Sequence, residues 1–303
     1  MPISEQVKAD LALLGVAFIW GVTFVVVQDA LSDIGPYYFL AVRFLLAFLF
    51  LLIIFFKQFR RLDRETLTAG CLIGLFLFAG YAFQTVGLKY TSASNAGFIT
   101  GLSVVLVPVF HALATRRPPN IFVAAGVFCA AAGLGLLSLG KNLQINYGDL
   151  LVLFCAVCFA MQIILVGHYA SRHNPNLLAA IQIGIVSLVS FVFGAVTENM
   201  PAHFTRPVWV AFLLTAIPAT SLAFLIQNKM QRFTSSTHTA IIFSMEPVFA
   251  ALTAFFAAGE SLSLRQAAGC ALILGGMLLA ELKGEREEEQ ALKSSGQTTV
   301  GGG

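Results

Sequence analysis

Of the 303 residues, 58% are hydrophobic and only 11% are charged, and the formal net charge is +3. Soluble domains carry about 25% charged residues, so this composition excludes one. The basic residues are scattered through short polar stretches, which excludes a nucleic-acid surface and leaves a polytopic membrane protein surrounded by lipid.

Ten apolar runs follow one another, at roughly 11–30, 37–56, 67–88, 94–114, 121–139, 149–170, 177–196, 208–228, 237–258 and 264–282. The first continues to full membrane length, so it reads as a span and not as a cleaved leader. It carries Trp20 at mid-depth, away from the interfaces where tryptophan usually gathers. That ring either stacks on a ligand or packs in the core. Arg43 stands seven residues into the second span, as a structural anchor or ion-pair partner. Tyr81 and Gln84 lie in the third, and an amide in lipid must find partners.

The fourth span holds Asn95, Thr100 and Ser103, a polarity suited to a wet lumen, and then Pro108. The fifth has a small-residue stripe, Ala125, Cys129 and Gly133, echoed in the tenth by Ala267, Ala271 and Gly275. Such stripes let backbones approach, within one chain or across a homodimer. All five cysteines lie in apolar runs and read as packing residues. Cys155-x-x-Cys158 has no further ligands near it, so neither a metal nor a cofactor is expected. Gln227 and Asn228 lie in the eighth span. The ninth begins with His238 near its inner end and carries Glu246-Pro247. Glu246 comes ten residues after Ser236. At helical rise that is about 15 Å, near the middle of a hydrocarbon layer about 30 Å thick. A carboxylate at that depth costs several kcal/mol, which marks it as a functional candidate. Pro247 beside it removes a backbone donor. The tail, 284–303, is charged and then Ser/Gly-rich, and reads as disordered and cytoplasmic.

With the N-terminus inside, thirteen Lys and Arg residues fall on the cytoplasmic side. Four fall outside: Lys89, Lys141, Arg206 and Arg265. This bias places both termini in the cytoplasm. The chain also repeats itself. Asp10 and Asp149, Pro36 and Pro175, and Pro108-Val-Phe-His-Ala-Leu and Pro247-Val-Phe-Ala-Ala-Leu are each 139 residues apart. Gln84 and the Thr91-Ser92 that follows match Gln227 and Thr234-Ser235 at 143. On these matches the second half gains four residues and later loses four. Each half has five spans, so the second enters the membrane from the opposite side. The fold class is therefore all-α and integral to the membrane, with ten transmembrane helices as two inverted-topology repeats at 8–139 and 148–283.

Three stretches carry a resemblance to a known family. They are Phe18-Ile-Trp-Gly-Val-Thr-Phe, Phe39-Leu-Ala-Val-Arg-Phe, and Ser236 to Pro247 with Glu260 closing the ninth span. They resemble the drug/metabolite transporter superfamily, in particular its ten-span permeases made of two EamA-type domains. The resemblance implies a multi-pass carrier in a bacterial inner membrane that moves amino acids or other metabolites, often outward. It also implies a cavity lined by spans 1, 3, 4, 6, 8 and 9. The first half departs from the pattern, with Val107-Pro108 where the second has Glu246-Pro247.

The leading function is a secondary transporter of a small polar or amphipathic molecule. Trp20, Tyr81, Gln84, Asn95, Gln227 and Glu246 are its candidate substrate contacts. Glu246 is the candidate for proton coupling, and Arg43, Pro108 and Pro247 are structural. The alternative is a membrane-embedded enzyme acting on a lipid-linked substrate. That chemistry usually needs two or more catalytic groups close together, and one intramembrane carboxylate does not supply them, so the chain reads as a non-enzyme.

The orientation predicts that the 140–147 loop is outside. A Cys placed at Asn146 by Asn146→Cys is expected to react with an impermeant thiol reagent from the periplasmic side. Reaction from the cytoplasmic side alone overturns both the orientation and the inversion of the repeats.

Overall fold

The computed structural model describes residues 5–91, 93–116, 118–138, 147–249, 252–253, 263–265, 267–276 and 278–279. Among these every regular element is a helix. Span 1 is α1 (Glu5–Ala30), span 2 α2 (Pro36–Phe59) and span 3 α3 (Arg64–Gly87). Span 4 is broken into α4 (Ala93–Gly101) and α5 (Ser103–Thr115), and span 5 is α6 (Ile121–Ser138). In the second half, span 6 is α7 (Tyr147–Ala170) and span 7 is α8 (Pro175–Thr197). Span 8 runs as α9 (Arg206–Ala216), a π-helical segment (Ile217–Leu222) and α10 (Ala223–Met230). Span 9 begins as α11 (Ser236–Phe243), and span 10 includes α12 (Ala267–Gly276). The chain is thus an all-helical membrane protein of two repeats. Apolar side chains such as Ile53, Leu213 and Val196 point outward, where hydrocarbon covers them. The C-terminal tail lies outside the described residues.

Sequence punctuation sets the helix ends. Pro36 and Pro175 open α2 and α8, where a missing N–H costs nothing. Asp63 caps α3 by accepting from the Thr66 backbone N–H and hydroxyl, both at 2.7 Å. Those bonds hold its carboxyl below the usual carboxylate range. Ser235 caps α11 by accepting from the His238 N–H at 3.1 Å.

The two halves interlock through α2 and α8, which run antiparallel. Ser187 donates to the Ala41 carbonyl at 3.0 Å within the pair. Each end is clamped from the opposite half. Glu198, just past α8, accepts from the Tyr37 and Tyr38 backbone N–H groups at 2.9 Å each. At the other end, Gln58 of α2 accepts from the Asn174 and Asn176 side-chain amides at 3.0 and 3.1 Å. Next to this pair, α3 lies so close to α8 that a Cβ at Gly74 would come 2.7 Å from the Ile185 Cβ.

The register of the repeat differs from the sequence expectation. The second half does gain four residues, since the α2–α3 loop has four residues (60–63) and the α8–α9 loop has eight (198–205). It does not lose them again. The breaks in spans 4 and 9 fall at Leu102 and at Ser244–Met245, so Leu102 and Met245 are mates at an offset of 143. Pro108 and Pro247 are therefore not at matched depths. Helix α5 runs through Pro108 without a break, whereas Pro247 follows its break directly. The symmetry mate of Glu246 is Ser103, not Val107. Two hexapeptides alike at five of six positions had imitated a register that the loop lengths contradict.

The small-residue seam is real but rotated. A Cβ at Gly133 would come 2.6 Å from the Gly269 carbonyl, and one at Gly276 would come 2.7 Å from the Gly126 carbonyl, so spans 5 and 10 pack on each other within the chain. The faces are Gly126, Ala130, Gly133 and Gly269, Ile273, Gly276, while Gly275 has nothing within 4 Å of its Cβ position. A spacing of four precesses by about 40° per step on a helix of 3.6 residues per turn, so alternating steps of four and three hold a face better.

Removing the Glu198 clamp leaves two backbone donors at the α2 N-terminus without a carboxylate. Glu198→Ala is expected to lower stability by about 1–3 kcal/mol, read as a lower melting temperature in detergent. An unchanged melting temperature would show that the clamp contributes nothing.

Candidate functional site: a cavity on the repeat axis

Between the halves lies a cavity of about 80 Å³. Its lining pairs by symmetry. Trp20 of α1 and Phe159 of α7 are mates at 139, as are Thr23 and Gln162. Tyr81 of α3 and Phe224 of α10 are mates at 143, as are Thr100 and Phe243, and Ser103 and Glu246. The cavity therefore straddles the pseudo-two-fold axis.

Its floor is aromatic. The Trp20 ring lies 5.4 Å from Phe224 and 4.9 Å from Phe243, and the Tyr81 ring lies 5.2 Å from Phe159, all centroid to centroid. These rings hold one another edge-on or tilted, in the geometry their quadrupoles favour. The floor rests on the π segment of span 8. Pro218 has no N–H to give, and the widened turn leaves carbonyls and hydroxyls facing neighbouring spans. Trp20 Nε1 donates to the Ala219 carbonyl at 2.8 Å. Arg43 Nε donates to Thr220 Oγ1 at 2.8 Å, and Ser221 donates to the Ala47 carbonyl at 3.2 Å.

Arg43 is 4% exposed, and its guanidinium carbon lies 5.2 Å from the Tyr81 ring centre and 5.4 Å from that of Phe44. It thus combines a hydrogen bond with stacking on two aromatic faces, which an ammonium reproduces poorly. Its mate, Gln182, keeps the polarity without the charge.

Glu246 is half-buried because it borders the cavity, and it begins the helical turn after the break in span 9. Arg43 and Glu246 line the same cavity but form no ion pair with each other. Gln84 also lines it and donates to Thr100 Oγ1 at 3.1 Å. Gln227 does not reach the cavity. It is fully buried in a chain of amides, exchanging bonds with Gln162 at 3.2 and 3.4 Å and donating to Gln231 Oε1 at 3.2 Å. Asn95 lies on α4, and its side chain is outside the described residues. Pro247 lines the cavity. Pro108 borders a separate polar space near His111, Asn120 and His238.

Sequence reasoning missed Thr23, Phe159 and Gln162 on the wall, and the π segment beneath it. The repeat itself held the signal for the first three, since adding 139 to Trp20 and Thr23 gives Phe159 and Gln162.

A helical membrane protein of two inverted halves around a partly polar cavity is the architecture of a carrier. The pattern of the EamA-like transporter family matches this chain twice, over residues 7–139 and 146–282, and the chain belongs to that family. The two matches begin 139 residues apart and end 143 apart, in agreement with the register of the helices. An uncharacterized transporter of Archaeoglobus fulgidus is 39% identical over 279 residues, covering 92% of this chain and 87% of that protein. The uncharacterized transporter YyaM of Bacillus subtilis is 26% identical over 292 residues, covering 91% and 94%. A solved crystal structure, 20% identical, matches with a TM-score of 0.77 over 93% of this chain and 99% of its own, which shows the fold.

The Arg43 geometry predicts that Arg43→Lys, despite keeping the charge, loses about 1–3 kcal/mol of stability. A thermal melt reads it, and a wild-type melting temperature would mean that the stacked fork is dispensable.

Proposed function

We propose that this membrane transporter is a secondary carrier that exports a small metabolite, an amino acid or another amphipathic compound, by alternating access. The observation that carries the reading is the cavity between the halves, lined by symmetry mates yet bearing a carboxylate on one side only. An aromatic floor suits the apolar part of a cargo, and Gln84, Thr100 and Ser103 suit its polar part. Trp20, Tyr81, Gln84 and Glu246 are the proposed contacts, with Asn95 and Gln227 in supporting positions. The membrane is proposed to be the bacterial inner membrane, with both termini cytoplasmic as the Lys and Arg distribution favours.

Glu246 is the proposed coupling group. In a low-dielectric cavity a carboxylate is stable either with a proton or with a cationic partner. A proton and a cationic group of the cargo would compete for it, which links the movement of one to the other. Ser103, its mate, has no such chemistry, so only one half carries the coupling.

Purified protein in liposomes, screened with amino acids and amphipathic compounds with and without a pH gradient, tests the reading. Uptake that depends on the protein identifies the cargo, and its absence for every class overturns the proposal. Glu246→Gln keeps the shape and removes the charge. It is expected to reduce pH-driven flux at least about tenfold at an unchanged melting temperature, a loss corresponding to about 1.4 kcal/mol. Flux at the wild-type rate would leave Glu246 a structural group.

A further inference from the structure

The cavity is symmetric in its middle and asymmetric at its ends. On one side of the axis it extends along Val27, Thr85, Leu88 and Gly97. Their mates, Val166, Asn228, Gln231 and Ala240, line no part of it. Burial on the two sides is similar for Val27, Thr85 and Leu88, whereas Gly97 is half-buried and its mate Ala240 is buried. The cavity is thus open toward the end where α1 finishes and closed toward the end where α10 finishes.

Three contacts close it. Gln162, on the wall, exchanges amide bonds with Gln227 and also donates to Gln182 Oε1 at 3.1 Å. Gln227 donates to Gln231, and Gln231 Nε2 donates to the Ile163 backbone carbonyl at 2.7 Å, tying α10 to α7. Then α7 rests on α11 at Gly167, where a Cβ would collide with Ser236 Oγ. The mates at the open end make no such set. Leu88 stands for Gln231 and Thr23 for Gln162, and exposed Gln28 stands for Gly167. Beyond the closed end lies the separate polar space lined by Ser235, Thr237, His238 and His111.

We propose that the amide chain Gln162–Gln227–Gln231, locked onto the Ile163 carbonyl and backed by the Gly167–Ser236 contact, is the latch that holds one end of the transport path shut. Breaking it joins the central cavity to the polar space beyond and reverses access. In the orientation read from Lys and Arg, the latched end is cytoplasmic. The halves thus divide the work. The latch of the second half has hydrogen bonds to lose, whereas the first half closes with apolar Leu88 and short Thr23, so the two closures are held by different physics.

The test uses the full-length chain with its five native cysteines replaced, and it needs no cargo, so it stands apart from the transport assay. Reporter cysteines are introduced by Gly97→Cys on the open limb, where a Cβ has nothing within 4 Å, or Asn228→Cys on the latched limb. Each is labelled in liposomes with an impermeant thiol reagent. With the latch intact, Gly97→Cys is expected to react on the order of tenfold faster than Asn228→Cys. Gln231→Leu, which removes the bonds to Ile163 and Gln227, is expected to raise Asn228→Cys labelling on the order of tenfold and to lower that of Gly97→Cys. Gly167→Ala is expected to act in the same direction by wedging α7 off α11. Adding Ser236→Ala removes the colliding oxygen and is expected to return labelling to the starting pattern, a rescue that general misfolding cannot give. Equal labelling of the two reporters in the latched chain overturns the proposal. So does Asn228→Cys labelling that neither Gln231→Leu nor Gly167→Ala changes.

Discussion

Hydrocarbon offers no hydrogen bonds to a broken helix, so each interruption within these spans must find its partners in the protein. Span 8 is the clearest case. Pro218 and the π segment around it expose the Ala219 carbonyl and the Thr220 hydroxyl, and Trp20 and Arg43 answer them from two other spans. Those two bonds draw a tryptophan and a guanidinium to mid-depth, where neither would otherwise rest. Tyr81 follows because it faces Arg43, and Phe224 and Phe243 follow because they pack on Trp20. The aromatic floor of the cavity is in this sense the solution to a backbone problem.

Duplication gave the two halves one plan, and the cavity shows how far they have separated. Aromatic rings remain on both sides, as Trp20 and Phe159 or Tyr81 and Phe224. Charge does not remain on both. Arg43 has Gln182 for a mate, and Glu246 has Ser103. One guanidinium and one carboxyl group, each from a different half, face a common space without bonding to each other. Packing tolerates symmetry at low cost, whereas duplicating a buried charge would double a desolvation penalty of several kcal/mol.

The spans and their order were legible because lipid demands long apolar runs, and the inversion was legible from the odd number of spans, five, in each repeat. Trp20, Tyr81, Gln84 and Glu246 stood out because membranes tolerate such side chains at mid-depth only with a protein environment around them, and all four border the cavity. Gln227 looked the same as Gln84, but whether an amide faces a lumen or a latch depends on which end is closed, and that is a property of the packed state. The prolines misled for another reason. Pro108 and Pro247 open hexapeptides alike at five of six positions, yet the register is set by an eight-residue loop answering a four-residue one, far from either proline. The π segment was hidden because a proline within a span can kink, stop or widen a helix, and neighbouring donors decide which.

The chain has two tryptophans, Trp20 and Trp209. Trp209 sits near the start of α9, half exposed and edge-on to Phe204 and Phe212, facing the membrane. Trp20 forms the cavity floor with its indole N–H tied to the π segment. The protein thus contains two optical chromophores in separate settings, one reading lipid and the other reading the interior. With Trp209 replaced, the emission that remains comes from the cavity floor alone, and its wavelength follows how wet or filled that space is.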